Sequence, residues 1–190
     1  MPTYQFTFAG DKVALIVRGK ISHEHEPSKL EQHADCALSN GSPVGFFGEG
    51  NDASSNASGM GMQGVVYDLQ ALSRKRAPYV DGKIAQAMGV KSTVLFVPVS
   101  AAEALAFDAA WAAIGKAPGS FQILGGNCST HASQAFRKAG LLSGGIPGLD
   151  TPNHLYQQLC FEKAGKVSTI SGYVGFTAHG KGYMLSVTKD

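Results

Sequence analysis

The sequence predicts an α+β fold in which an antiparallel sheet or half-barrel carries helices packed on one side. Strand-like segments lie at both ends of the chain, whereas helix signals are concentrated in its middle, which is typical of this class. The 24 glycines among 190 residues indicate many loops, and an apolar fraction of 44% is enough for a substantial core. The length fits one domain, so we expect residues 1–190 to fold as a single unit.

The first strands are predicted as two hairpins. Residues 3–8 and 12–18 have apolar or alternating patterns around Gly10-Asp11, which favours a tight turn between two paired strands. Residues 33–38 and 44–48 form the second predicted pair, joined by Ser39-Asn40-Gly41. The polar stretch between the two hairpins is expected to be a loop.

The segment from about 49 to 64 is the expected flexible loop of the domain. It consists mainly of Gly, Ser, Asn and Met and is long for a loop with no structure of its own. Such length favours a lid or a mobile surface. Further strands are predicted over residues 65–69 and 94–99, where β-branched and other apolar residues cluster.

Helix signals follow in the second half of the chain. Ser100 and Glu103 have the spacing of a capping box and predict a helix that runs to about residue 114. A second helix begins near Cys128. Thr151-Pro152 supplies an N-cap and first-turn proline for a third helix, which extends to residue 159. Residues 167–177 and 182–188 predict a closing hairpin.

Charge and composition exclude several classes of function. The net charge is +2, charged residues make up 16% of the chain, and basic residues are scattered, so no nucleic-acid partner is expected. No apolar run approaches the roughly 18 residues that span a bilayer, and no signal peptide is recognisable at the start. The three cysteines lack metal-ligand spacing, so we expect neither a metal site nor a cofactor.

Residues 125–140 carry the strongest functional signal. A glycine-rich loop leads into a helix with Cys128 in its first turn, and Gly140 stands where that helix would end. One face of the helix is apolar at helical spacing, through Ala132, Ala135, Phe136 and Ala139. The partial positive charge of a helix N-terminus favours thiolate over thiol, and its amides can hold an oxyanion. Cys128 is therefore the predicted nucleophile.

A thiolate nucleophile needs an imidazole partner, and His33 is the preferred one of the six histidines. It opens an alternating strand, which places its ring beside a sheet that could carry the helix of Cys128. His131 lies one helical turn after Cys128, but a neighbour on the same helix rarely directs its ring at the nucleophile. His154, in the first turn of the third helix, is a candidate pocket residue.

The chain resembles the circularly permuted papain-like superfamily, which includes NlpC-type peptidases and amidases and lecithin retinol acyltransferase-like enzymes. The resemblance rests on the histidine strand and Ser-Asn-Gly turn, on Phe46 and Phe47, and on the sequence Phe-Gln-Ile-Leu-Gly-Gly-Asn-Cys-Ser-Thr. The histidine precedes the cysteine, as in permuted members. Residues 148–156, Gly-Leu-Asp-Thr-Pro-Asn-His-Leu-Tyr, resemble a segment of toxin-like and type VI secretion effector members. A glycine usually precedes the histidine in this family; here Gln32 does.

The resemblance implies roles for individual residues. Cys128 would be the nucleophile and His33 the base, and Gln122 falls where papain-like enzymes often place an oxyanion-hole side chain. Asn127, His131 and His154 are the candidate substrate-binding residues.

The third catalytic member, which orients the imidazole, stays open at this point. Glu49 is the leading candidate on the strand after His33. Asn51 and Ser42 are further polar candidates there, and Asp35 shares a strand face with His33 at a spacing of two.

The implied function is that of a cysteine hydrolase that cleaves amide bonds through a thioester, without metal or cofactor. The family members in question imply an antibacterial toxin that is made in the bacterial cytoplasm, delivered by a secretion machine into the periplasm of a target cell, and directed at peptidoglycan peptides. A cognate immunity protein and a secretion carrier are the implied partners. The alternatives are a deamidase or acyltransferase that modifies a protein or lipid, and an inactive binding module on the same fold.

Overall fold

The computed structural model describes residues 1–28, 32–49, 62–122, 126–144 and 151–190. It shows an α+β protein with one antiparallel sheet of nine strands and five α-helices among these residues. The strands are β1 (Thr3–Thr7), β2 (Lys12–Arg18), β3 (His33–Ala37), β4 (Pro43–Glu49), β5 (Met62–Tyr67), β6 (Ser92–Pro98), β7 (Ser120–Phe121), β8 (Ser168–His179) and β9 (Gly182–Thr188). The helices are α1 (Leu69–Lys75), α2 (Gly82–Ala87), α3 (Ala101–Lys116), α4 (Cys128–Lys138) and α5 (Pro152–Glu162), with a 3₁₀ turn over Ala77–Tyr79.

The sheet is open but strongly curved. Its strand order is β1-β9-β8-β6-β2-β3-β4-β5-β7, and all neighbours are antiparallel. Although β9 lies four positions from β3 in this order, the Tyr183 amide of β9 donates to the Asn40 carbonyl in the β3–β4 turn at 2.9 Å. Two strands so far apart in the sheet can come into contact only if the sheet curves back on itself. The predicted half-barrel shape agrees with this curvature.

The bend occurs within β8, which exchanges partners along its length. Its first part pairs with β6, up to Gly172 opposite Ser92, and its second part pairs with β9 from Tyr173 onwards. A Cβ atom at Gly172 would overlap the carbonyl oxygen of Thr188 on β9. Glycine is therefore required where the two halves of the sheet meet at close quarters.

The main core lies between one face of the sheet and the three long helices α3, α4 and α5. Alternation along β4 separates the two faces: Phe46 belongs to this core, whereas Phe47 points to a second cluster with Leu72 of α1. The prediction that helices occupy one side is confirmed for the three long helices. It is wrong for α1, a short helix that the sequence reading did not include.

Most predicted elements are confirmed, including the 33–48 and 168–188 strand pairs and the three long helices. The predicted capping box of α3 is present, with Ser100 and Glu103 bonding each other's backbone amides. The predicted hairpin over residues 3–18 is wrong, because β1 pairs with β9 at one end of the sheet while β2 lies between β3 and β6. The glycine-rich 49–64 segment lies outside the described residues, apart from its two ends.

Candidate active site

Cys128 is the first residue of α4. The side chain of Asn127 caps the helix, since its Oδ1 atom accepts from the Thr130 amide at 3.0 Å. Asn127 Oδ1 also accepts from the Ser129 hydroxyl at 2.7 Å. The cap fixes the start of the helix, so the sulfur occupies its first turn, where amides lack partners within the helix.

The sulfur of Cys128 lies next to β3, just beyond the point where the pairing of β3 with β4 stops. Pairing between the two strands runs from Ala37 opposite Pro43 to Asp35 opposite Gly45 and does not continue to His33. Beyond this last pair, the Ala34 amide donates to the Cys128 sulfur at 3.5 Å. The thiol thus accepts from a backbone amide of β3 beyond the last pair between β3 and β4.

The imidazole of His33 stands against the same sulfur, close enough for each group to shift the pKa of the other. Its Nε2 atom lies 2.8 Å from Oδ1 of Asp35, a contact whose alignment is not that of a hydrogen bond, so the attraction is chiefly electrostatic. The ring stacks on Phe47 at a centroid distance of 4.3 Å and meets Tyr79 at 5.7 Å.

The electrostatics of the pair favour its charged form. Burial opposes charge on His33, but the Cys128 sulfur and the Asp35 carboxylate outweigh it and raise the imidazole pKa well above its ordinary value. Burial likewise opposes the thiolate, yet the His33 imidazolium and the Ala34 amide lower the pKa of Cys128. Both shifts favour a thiolate–imidazolium pair over a neutral thiol and imidazole.

The other two cysteines have the opposite character. Burial raises the pKa of Cys36, which is fully enclosed on β3, and also raises that of Cys160 on α5. Cys128 is therefore the one cysteine of the three whose surroundings favour ionisation. It is nevertheless well covered, with 6% of its surface exposed, whereas 14% of the His33 side chain is exposed.

The carboxylate that contacts the imidazole is Asp35, not the leading candidate Glu49. Asp35 is fully buried, and its other oxygen, Oδ2, accepts from Nε of Arg18 at 2.8 Å. Burial opposes its charge, but His33 and Arg18 lower its pKa below the usual value. Glu49 instead pairs with Tyr67 and Lys75.

Of the two further candidates for the third member, the structure describes Ser42, which is separated from His33. The Ser42 amide donates to Asn40 Oδ1 at 2.9 Å in the β3–β4 turn, at the opposite end of β3 from His33. Asn51 lies outside the described residues.

The remaining candidates have described positions away from the contact between Cys128, His33 and Asp35. Gln122 and His131 line a groove of about 440 Å³ beside α4, and Cys128 is not among its described lining residues. The ring of His131 stacks on that of Phe46, with 3.6 Å between the ring centroids, and its Nδ1 lies 2.9 Å from the Asn127 carbonyl oxygen. Burial lowers the pKa of His131. His154 is exposed in the first turn of α5.

Among the residues that the structure describes, no group of three or more His, Cys, Asp or Glu side chains is arranged to hold a metal ion. None of the helices in the described parts of the chain has the length and apolar character needed to cross a membrane.

No protein-family model matches the chain, and neither a curated protein nor a solved structure is significantly similar to it. The site must therefore be interpreted from its own geometry. That geometry joins Cys128, His33 and Asp35 in one contact chain.

Sequence reasoning missed two residues that lie beside Asp35. Arg18 is the last residue of the apolar strand β2. The only feature of the sequence that could have singled it out is its positive charge at the end of an otherwise apolar strand. Nothing in the sequence distinguishes Gly45 from the other glycines, but it is the cross-strand partner of Asp35 in the sheet. Both assignments depend on strand register, which the sequence does not specify.

Proposed function

We propose that this protein is a cysteine hydrolase of the papain-like type, with Cys128 as nucleophile, His33 as general base and acid, and Asp35 as the orienting carboxylate. The observation that carries the proposal is the contact chain from the Cys128 sulfur through the His33 ring to Asp35. Nucleophile, base and orienting group within contact of one another form the arrangement that activates a thiol.

The first half of the reaction transfers an acyl group to the enzyme. The Cys128 thiolate attacks the carbonyl carbon of an amide, a C–S bond forms, and the carbonyl oxygen becomes an oxyanion at the N-terminus of α4. The oxyanion collapses, the C–N bond breaks, and the His33 imidazolium gives its proton to the departing amine. A thioester on Cys128 and a neutral imidazole remain.

The second half regenerates the enzyme. His33 takes a proton from water, the hydroxide so formed attacks the thioester, and the C–S bond breaks. The products are a carboxylic acid and an amine, and the thiolate–imidazolium pair is restored. Asp35 keeps its negative charge throughout and stabilises the imidazolium whenever it forms.

The finer assignment is an antibacterial effector that cleaves peptidoglycan peptides, and it rests on the sequence resemblance described above. It includes export from the bacterial cytoplasm to the periplasm of a target cell, with a carrier and a cognate immunity protein as partners. The deamidase and acyltransferase alternatives use the same thioester and differ only in the acceptor and the substrate.

The test is the release of soluble peptide fragments from purified cell-wall sacculi. We expect the wild-type protein to release fragments and Cys128→Ala to release none, because the variant lacks the nucleophile. Cys160→Ala is the matched control, since it removes a thiol whose pKa burial raises, and it should keep full activity.

Other outcomes discriminate among the alternatives. If wild-type protein releases no fragments but shifts the mass of a protein or lipid substrate in a Cys128-dependent way, the deamidase or acyltransferase replaces the amidase. Activity that survives in Cys128→Ala would refute the thiol mechanism as a whole.

A further inference from the structure

We propose that Arg18 and Gly45 are positioning residues that hold the carboxylate of Asp35 against His33 and thereby set the pH at which Cys128 becomes nucleophilic. This inference rests on the proposed function. It assigns roles to two residues that do not touch the sulfur and act only through Asp35.

Arg18 is held on every side by fixed partners. Its Nε atom donates to Asp35 Oδ2 at 2.8 Å, its Nη2 donates to the Tyr79 carbonyl at 2.8 Å, and its Nη1 donates to the Ser92 hydroxyl at 3.3 Å. The guanidinium also lies over the Tyr79 ring, 4.7 Å from its centroid. The residue is 2% exposed, so these contacts replace the water that a charged group requires. The Oδ2 atom of Asp35 therefore contacts a positively charged group that is fixed in place, and its Oδ1 atom contacts His33.

Gly45 provides the space for that carboxylate. It is the cross-strand partner of Asp35, and a Cβ atom at this position would overlap Asp35 Oδ1, the oxygen that faces His33. The same Cβ atom would come within 2.8 Å of the Phe47 ring, on which His33 stacks. Any side chain at position 45 must therefore displace the carboxylate, the aromatic ring, or both.

The charges of the cluster explain why Arg18 matters for the thiol. In the thiolate–imidazolium form, Arg18 and His33 are positive while Asp35 and Cys128 are negative, so the buried group is neutral as a whole. Two other described titratable groups face it: the Cys36 thiol, which stays neutral because burial raises its pKa, and Tyr79, whose ring contacts His33 and Arg18. Without Arg18 the cluster would have a net negative charge, which favours uptake of a proton. Cys128 would then ionise at higher pH.

The experiment measures the alkylation rate of Cys128 by iodoacetamide as a function of pH, with the site identified by peptide mass spectrometry. Because alkylation needs no substrate, it tests the cluster independently of the amidase assignment. Relative to wild type, we expect Arg18→Met to move the midpoint of the profile upward by about one pH unit or more. Arg18→Lys retains the charge and should lie closer to wild type than to Arg18→Met.

Gly45→Ala tests positioning without any change of charge. We expect its midpoint to move upward as in Asp35→Asn, and the double variant to show no further shift, because both changes remove the same contact. The matched control is Arg74→Met, which removes an exposed positive charge on α1 and should leave the profile unchanged. Thermal melts at each pH identify any variant that fails to fold, and Gly45→Ala decides the question if Arg18→Met is one of them.

An Arg18→Met or Gly45→Ala profile that coincides with that of folded wild type would overturn the inference while leaving the proposed function intact. A wild-type profile with the midpoint of free cysteine, about pH 8.5, would instead remove the basis of the proposed function. The two failures are therefore distinguishable in one data set.

Discussion

At the scale of single residues, the environment of His33 determines what the site can do. The ring is stacked on Phe47, faces Asp35 at 2.8 Å and touches the sulfur of Cys128. An aromatic face and a carboxylate both stabilise a cationic imidazole, so the proton belongs on His33 rather than on the thiol. The side chain that supplies this carboxylate lies two residues along the same strand.

Substitution of the two carboxylates distinguishes their roles. We expect Asp35→Asn to lower kcat/KM by about 10²-fold or more, because the orienting charge behind the imidazolium is lost. Glu49→Gln should leave kcat/KM within a few-fold of wild type, since Glu49 pairs with Tyr67 and Lys75 rather than with His33. The measurement is steady-state hydrolysis of the amide substrate at several pH values. If Glu49→Gln lowered kcat/KM more than Asp35→Asn does, Glu49 rather than Asp35 would be the residue that orients the imidazole.

At the scale of elements, the start of β3 is tied to the start of α5 by the residue before His33. The side-chain carbonyl of Gln32 accepts from the Asn153 amide at 3.0 Å, and its Nε2 donates to the Ser28 carbonyl at 2.9 Å. Asn153 in turn accepts from the buried Lys20 ammonium at 2.9 Å through its side chain. Gln32 thus anchors the strand that carries His33.

Gln32→Gly introduces the residue that the resemblance would predict, and we expect it to destabilise the protein. The loss should be about 1–3 kcal/mol, because the Asn153 amide and the Ser28 carbonyl lose their partner and glycine adds freedom to the unfolded chain. Gln157→Ala, which removes a contact with Glu26 at 3.3 Å on the exposed face of α5, is the matched control and should stay within about 0.5 kcal/mol. Urea unfolding measures both. Equal stability of Gln32→Gly and wild type would mean that this link does not hold the strand.

At the scale of the whole molecule, the curved sheet encloses a set of charges that makes stability depend on pH. Arg18 and Asp35 lie inside the fold at 2% and 0% exposure, between strands from different parts of the chain. Their pairing exists only in the folded state. The protonation of Asp35 is therefore coupled to folding.

We expect the free energy of unfolding to fall as the pH drops from about 5 towards 2. The pKa of Asp35 is lower in the folded protein than in the unfolded chain, so acid protonates the unfolded state first and stabilises it. His33 is protonated in both states in this range and contributes no slope. Urea midpoints measured against pH should therefore decline less steeply in Asp35→Asn than in wild type. Asp11→Asn, at an exposed carboxylate, should change the slope less; identical slopes in wild type and Asp35→Asn would contradict the prediction.

The sequence by itself determined the elements that depend on local interactions. The capping box of α3, the Thr-Pro start of α5, the entry of α4 at Cys128 and the hairpin signals near residues 40 and 180 all arise from neighbours along the chain. These interactions are encoded within a few residues, so a pattern reveals them. The assignments of Cys128 and His33 as reactive residues came from the same kind of local pattern.

Only the tertiary structure decided which groups meet. The pairing of β1 with β9, the placement of Arg18 beside Asp35, and the choice of Asp35 over Glu49 depend on strand order and register across a curved sheet. Register is set by the packing of side chains that are distant in sequence, and a shift of one residue would turn His33 and Asp35 to the opposite face. For this reason local patterns indicated the nucleophile and its helix, but the partners that would tune it became visible only in the folded chain.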